Sequence, residues 1–298
     1  MKLNRRQMLG STGAALGTIG LLGAPAQASQ KIKKGDVFSK PSKMKVGIVT
    51  YNLAKNMDIE TLIDTCSQAK IQGVELRATH AHKVELNLTK PQRAEVKKRF
   101  KDSPVELMGL GSAYGYHTAD QSELRKIIED TKQYIKLAHD VGATGIKVRP
   151  NGFQKDVPHE KTLEQIGKSL REVGAFGADY GIQIRLEVHG GGTCLLPNIK
   201  KIMDFANHPN AGVCWNSNAQ DLEGEGFDYN FNLVKDKIFS IHMRDLCDEN
   251  YPYRHLLKRL TQTGFDGYCL AELHHTSPDP VMIMKYFRCL WLAYQNLL

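Results

Sequence analysis

No stretch of the chain approaches the roughly 20 consecutive apolar residues that a membrane-spanning helix needs, so stable membrane insertion is excluded. Cysteine is sparse: the 6 thiols in 298 residues (Cys66, Cys194, Cys214, Cys247, Cys269 and Cys289) include no Cys-x-x-Cys spacing and no small-domain framework. This predicts mostly buried free thiols and argues against structural disulfides. Glycine at 26 and proline at 11 are too few for a collagenous or low-complexity chain. No Gly-x-Gly-x-x-Gly follows the first predicted strand, which removes the dinucleotide-binding doubly wound sheet. Excess charge is also missing where it would matter. The net +8 resides in residues 1–28, which contribute +3, and residues 29–45, which contribute +5, so the chain from Val46 onward is neutral. A nucleic-acid groove needs its positive charge within the folded body, so no nucleic-acid partner is expected.

What is present begins with an address. Asn4-Arg5-Arg6-Gln7-Met8-Leu9 sets paired arginines before a mildly apolar stretch, and Ala26-Gln27-Ala28 supplies small residues for cleavage. Residues 1–28 resemble a twin-arginine (Tat) export signal, which implies the Tat machinery as a partner and a periplasmic or otherwise exported destination. Residues 29–43, lysine-rich and without apolar periodicity, read as a flexible lead-in. The folded domain is then 44–298.

Within it one phrase recurs: an amphipathic helix, a glycine stop, then a short β-branched strand. Gly73, Gly142, Gly181 and Gly264 are the stops. Eight strands are expected at 45–50, 73–77, 105–110, 145–149, 183–188, 212–215, 239–243 and 267–272, with helices such as 122–141 and 163–180 between them. Residues 227–234 are short and weakly helical. Eight βα units in about 250 residues predict an α/β fold, a single (β/α)8 TIM barrel.

Catalytic residues of such barrels sit at the C-terminal strand ends, and residues two apart share a face. The strand ends carry Glu75/Arg77, Lys147/Arg149, Glu187/His189, His242/Arg244 and Glu272/His274, with His80, His82 and Asn151 on the loops. Glu187, Asn216, His242 and Glu272 come from strands five to eight. Two carboxylates, an amide and an imidazole make a mainly hard donor set for a divalent metal, Mn²⁺, Mg²⁺ or Co²⁺, with Zn²⁺ also accommodated. Such an ion polarises a sugar carbonyl and its neighbouring hydroxyl, while Glu187 and Glu272 take and return the proton through an enediolate. Glu75, Arg77, His80, Lys147, Arg149, His189, Arg244 and His274 are the expected substrate-binding residues, with Lys147 and Arg149 as clamps. Tyr114, Tyr116 and His117 are candidates for stacking on a sugar or for packing within the loop. Trp215 is expected to point into the helix layer. The apolar segment 281–298 offers a closure against the first helix or a contact between copies in a homo-oligomer.

Leu186-Glu187-Val188-His189-Gly190, Trp215-Asn216-Ser217-Asn218, Ile241-His242-Met243-Arg244-Asp245 and Ala271-Glu272 resemble the four ligand motifs of the xylose isomerase-like TIM-barrel superfamily, which holds sugar phosphate isomerases and epimerases. The resemblance implies metal-bound acid/base roles for Glu187 and Glu272 and a ligand role for His242. Asn216 stands where the family usually has Asp, and a neutral amide holds a dication less tightly. The expected function is a carbohydrate isomerase or epimerase. Alternatives are a 3-keto-glycoside lyase or hydratase using the same enediolate, and a non-enzymatic sugar-binding barrel.

Overall fold

The computed structural model describes residues 42–298. The expected export signal at 1–28 and most of the expected lead-in at 29–43 lie outside the described residues. Eight parallel strands close in sequence order: β1 (Lys45–Val49), β2 (Gly73–Arg77), β3 (Glu106–Gly115), β4 (Gly145–Arg149), β5 (Gln183–Glu187), β6 (Ala211–Trp215), β7 (Ile238–Met243) and β8 (Tyr268–Ala271). Pairing of β1 with β8, with Val46 opposite Cys269, completes the barrel. The helices between and after them are α1 (Ile59–Ala69), α2 (Lys90–Lys101), α3 (Gln121–Val141), α4 (His159–Asp179), α5 (Leu196–Ala206), α6 (Phe227–Val234), α7 (Tyr253–Thr263) and α8 (Pro280–Tyr294). This is the expected single (β/α)8 barrel.

Strand alternation sorts the core into two layers. Outward residues such as Val46, Ile48, Val74, Leu76, Ile146, Val148, Ile184, Leu186, Val213 and Ile241 are buried beneath the helices. Trp215 belongs with them: its ring lies edge-on to Phe227 and Phe231 of α6, both centroids 5.8 Å away. Inside the barrel Val49, Met108, Tyr268 and Leu270 form a small apolar cluster with Tyr51 packed against it. The remaining inner volume holds Glu75, Lys147, Arg185, Glu187, Ser240 and His242, all buried.

The glycine stops need one correction. Gly142 (φ 84°) and Gly264 (φ 78°) do terminate α3 and α7 in the left-handed region. In α1 that position is taken by Lys70 at φ 57° instead. Gly73 is the first residue of β2, where an added Cβ would sit 2.4 Å from the Tyr268 ring. Gly145 serves Arg185 in the same way, since a Cβ there would lie 2.6 Å from the guanidinium carbon. These glycines make room inside the barrel for large side chains. The third strand also runs on to Gly115, past the expected end at 110, through a stretch whose small residues carry little β-propensity.

The other peripheral expectations divide. Helix α8 packs on α1, as a barrel-closing helix should. Tyr116 is fully buried and its hydroxyl donates to Thr131 Oγ1 at 3.2 Å, so it cannot stack on a ligand. Tyr114 is edge-on to Tyr134 at 5.8 Å. All six cysteines are free, four of them buried, with Cys247 and Cys289 exposed. Among the described residues no helix is long and apolar enough to cross a membrane.

Candidate active site

At the C-terminal pole, the ends of β5, β7 and β8 bring Glu187, His242 and Glu272 together, all buried, with one ligand atom from each lying within 4.8 Å of the others. His242 Nδ1 is 3.6 Å from Glu187 Oε1 and 3.8 Å from Glu272 Oε2. On its other side Nε2 is 3.4 Å from Glu75 Oε1. Neither imidazole nitrogen has a hydrogen-bond partner, and the buried Oδ1 of Asn216, just past β6, has none either. Unpaired polar atoms of this kind are expensive to bury. A compact set of carboxylate, imidazole and amide donors therefore fits a divalent ion, and the Glu187–His242–Glu272 triad could hold one.

Charge around the triad is arranged unevenly. Lys147 Nζ and Arg149 Nε both donate to Glu187 Oε2, each at 2.8 Å. Burial pushes the Glu187 carboxyl up, but Lys147, His242 and Arg149 outweigh it and hold it well below the usual carboxylate range. For Glu75, burial is likewise outweighed by His242 and Lys147, and its carboxyl is lowered. Burial opposes an imidazolium at His242, yet Cys214, Glu75 and Glu272 together raise it well above the ordinary histidine value.

The expected substrate residues separate into an inner and an outer group. Lys147 is spent on Glu187 and sealed from solvent, so the clamp it makes is on that carboxylate; its reach into the mouth, expected from sequence, is not observed. Glu75 is fully buried behind His242, which also removes it from direct substrate contact. Both lie two residues deeper than the strand tip, where an inward side chain meets the barrel's own polar interior. Arg149 remains partly exposed beside Glu187. His189 is half-buried, its Nδ1 has no partner, and burial lowers its pKa despite Glu187 nearby.

The outer group rims β1, β2 and β8. The Arg77 guanidinium lies over the Tyr51 ring at 4.7 Å, and the exposed His274 ring meets the same tyrosine edge-on at 5.2 Å. His80 Nδ1 is 3.2 Å from Thr50 Oγ1. His82, expected on the rim, is instead a buried strut: Nε2–H donates to the Arg77 carbonyl at 2.8 Å and Nδ1 accepts from Val84 N–H at 3.0 Å. Asn151, at φ 62°, packs its carbonyl against the Gly190 backbone, where a Cβ would come within 1.8 Å.

Sequence reasoning missed a polar network behind β6. Ser217 Oγ donates to the His242 carbonyl at 2.9 Å, and Arg244 Nη2 donates to Asn218 Oδ1 at 2.9 Å. Tyr251 OH donates to Asp221 Oδ2 at 2.6 Å while accepting from Trp215 Nε1 at 2.8 Å. Burial pushes the Asp221 carboxyl up to about 7. The available signal was the run Asn216-Ser217-Asn218, three small polar residues in a buried strand-to-loop turn.

A closed (β/α)8 barrel with a buried Glu–His–Glu cluster at its C-terminal pole is an enzyme-like architecture. The family profile for the xylose isomerase-like TIM barrel matches residues 63–290, and the chain belongs to that family. No curated protein matches it. Among solved structures it resembles 3-keto-D-glucoside 4-epimerase from E. coli, with 14 % identity over 86 % of this chain and 100 % of that one, at a TM-score of 0.69. It resembles an L-ribulose 3-epimerase at 14 % identity, 85 % and 95 % coverage and a TM-score of 0.70. A zinc-binding IolI protein is similar at 15 % identity, 85 % and 98 % coverage and a TM-score of 0.65. At these identities the likeness is one of fold.

Proposed function

We propose that this protein is a carbohydrate isomerase or epimerase-type enzyme that moves a proton on the carbon beside a sugar carbonyl. The observation that carries the reading is the buried convergence of Glu187, His242 and Glu272 within 4.8 Å at the pole where barrel enzymes act. These three residues, with the unpaired Oδ1 of Asn216, would hold a divalent ion such as Mn²⁺, Mg²⁺, Co²⁺ or Zn²⁺. When bound, the ion supplies Lewis-acid polarisation of a carbonyl and its adjacent hydroxyl. The names of similar structures, two epimerases and a zinc-binding protein, support the same class of substrate and cofactor.

The chain's own residues then divide the work. Glu272, the ligand carboxylate that meets no lysine or arginine and has only His242 Nδ1 at 3.8 Å, is placed to take the carbon-bound proton and leave an enediolate. Arg149 and His189 flank the mouth as donors to substrate oxygens, and Arg244 extends that wall. Returning the proton to the other face gives an epimer; returning it to the neighbouring carbon gives an isomer.

A second reading is favoured by one feature. Both lone pairs of Glu187 Oε2 are taken by Lys147 and Arg149, whereas a two-face epimerisation wants a free proton carrier on each side. A one-sided site suits elimination from a 3-keto-glycoside, in which the same enediolate expels the C1 substituent. The twin-arginine-like leader supports exported action, where free sugars and glycosides are the accessible substrates. Proton NMR in D₂O with a 3-keto-glycoside and a free ketose tests both. Deuterium entering an intact sugar beside the carbonyl supports isomerase or epimerase chemistry, and release of the C1 substituent supports elimination. No turnover of either, in protein shown to carry its ion, would leave a sugar-binding barrel.

A further inference from the structure

Two buried amides stand two residues apart in the turn after β6: Asn216 and Asn218. Asn218 Nδ2 donates to the Val188 carbonyl at 2.6 Å, which sends its Oδ1 to the opposite side. That oxygen accepts from Arg244 Nη2 at 2.9 Å and from Asn216 Nδ2 at 3.4 Å. The Asn218 backbone N–H is itself tied to Asp221 Oδ2 at 2.9 Å, so the turn cannot swing away cheaply. Flipping the Asn218 amide would set its oxygen against the Val188 carbonyl and its NH₂ against a guanidinium. Each contact would be like against like, so one orientation is enforced.

The consequence passes to Asn216. With its NH₂ committed to Asn218, its Oδ1 is turned away from that residue, buried and without a hydrogen-bond partner. Strand alternation keeps Asn216 on the same inner face as Cys214, and the register that sets Trp215 opposite Ile241 brings it beside His242 of the cluster. An amide free to rotate would offer its NH₂ to a cation half of the time. We propose that Asn218 is a positioning residue that locks the Asn216 amide oxygen-forward, so that a neutral asparagine serves as the ion's fourth donor. Through the same oxygen, Arg244 on the substrate wall and the ion's amide donor share one anchor. The inference rests on the metal reading above, and the two are tested separately.

The test is a double-mutant cycle read by calorimetric titration of Mn²⁺ into ion-free full-length protein, without any activity assay. Wild-type protein that takes up no Mn²⁺ or Zn²⁺ overturns the metal reading, and the positioning role with it. If the wild type binds, Asn218→Ala is expected to weaken Mn²⁺ binding about 10–100-fold, the usual loss for an orienting partner of a ligand. In the Asn216→Ala background the same substitution should cause no further loss, because no amide is left to orient. A merely structural Asn218 would weaken both backgrounds equally, or neither, and either result overturns the proposal. Asn218→Ser, which keeps a small polar group in the turn, replaces Asn218→Ala throughout the cycle if thermal unfolding shows that the alanine variant does not fold.

Discussion

Lys147 Nζ lies 2.8 Å from Glu187 Oε2, and both side chains are only 1 % exposed. A lysine at the end of a barrel strand invites assignment to the substrate, but this one has no path to it. Its charge is consumed in keeping a carboxylate ionised inside the barrel, where desolvation would otherwise neutralise it. The pair also breaks the equivalence of the two glutamates, since no cationic side chain meets Glu272 in this way. The site is therefore built with one carboxylate fixed through Oε2 and one freer one.

Lys147→Met should leave Glu187 buried with Arg149 as its remaining donor, and removal of one partner of a buried pair costs about 3–5 kcal/mol. Arg149 offsets part of this, so a loss near the lower end is expected in urea unfolding at pH 7. Lys147→Met/Glu187→Gln should recover part of the loss, because the uncompensated charge is gone. A Lys147→Met variant as stable as the wild type would show that the ion pair does not matter to the fold.

A buried histidine contributes a destabilising limb above the carboxylate range. Burial, only partly opposed by its bond to the Arg77 carbonyl, lowers the pKa of His82 to about 4. In the unfolded chain a histidine titrates near 6.5. Below that value the unfolded state binds a proton that the native state refuses, so stability falls as pH drops from about 6.5 toward 4. Between pH 7 and pH 5 His82 alone should cost about 2 kcal/mol, read as the stability the wild type loses relative to His82→Gln, because Asp221, raised to about 7, acts in the opposite direction over the same range. Glu187, whose carboxyl is depressed, acts in a separate window: its contribution is complete above about 4.3 and lost as pH falls through its lower native value. Urea unfolding of the wild type and of His82→Gln at pH 7, 6 and 5 gives the histidine contribution as the difference between the two.

How far the sequence speaks is visible in these same residues. Hydrophobic alternation and glycine punctuation place all eight strands, because an inward–outward period of two is a property of the chain itself. The metal-type cluster was legible for the same reason: Glu187, His242 and Glu272 occupy the inward register at strand ends. Depth was not legible. Glu75 and Lys147 look like rim residues until the barrel closes and buries them, and His82 looks like a loop histidine until Val84 and the Arg77 carbonyl bind both its nitrogens. The Asn216–Asn218–Arg244 chain also depends on which amide atoms face one another. Such contacts are set by tertiary geometry rather than by spacing.

Asn216→Asp is expected to make stability strongly dependent on the ion. Without an ion, a further carboxylate joins Glu75, Glu187 and Glu272, and an oxygen replaces the NH₂ that faces Asn218 Oδ1. Both changes are unfavourable, so thermal unfolding in chelator should move to lower temperature than in the wild type. With an ion, the added charge should tighten binding and raise the midpoint in proportion to the logarithm of ion concentration over Kd. Unfolding scans in EDTA and in millimolar Mn²⁺ give the comparison. A variant shifted equally in both would show that residue 216 does not meet the ion.

Glu187→Gln and Glu272→Gln should each abolish turnover, for different reasons and with different effects on stability. Gln keeps the volume and an oxygen donor but cannot accept a proton from carbon, and acid–base assistance is commonly worth about 10²–10⁴-fold. Glu272 meets no lysine or arginine, only His242 Nδ1 at 3.8 Å, so Glu272→Gln should lose less stability than Glu187→Gln while losing exchange of the proton beside the carbonyl. Glu187→Gln should lose activity through weaker ion binding and a misplaced Arg149. It should also be less stable, because Lys147 and Arg149 are left beside a neutral amide. Solvent deuterium incorporation into a keto sugar or keto-glycoside, followed for both ion-loaded variants, separates the roles. Exchange surviving in Glu187→Gln but not in Glu272→Gln would make Glu272 the single proton carrier and favour elimination or isomerisation over two-face epimerisation. Exchange surviving near the wild-type rate in both would remove the carboxylates from proton transfer, and His189, beside them at the mouth, would be the base to test next.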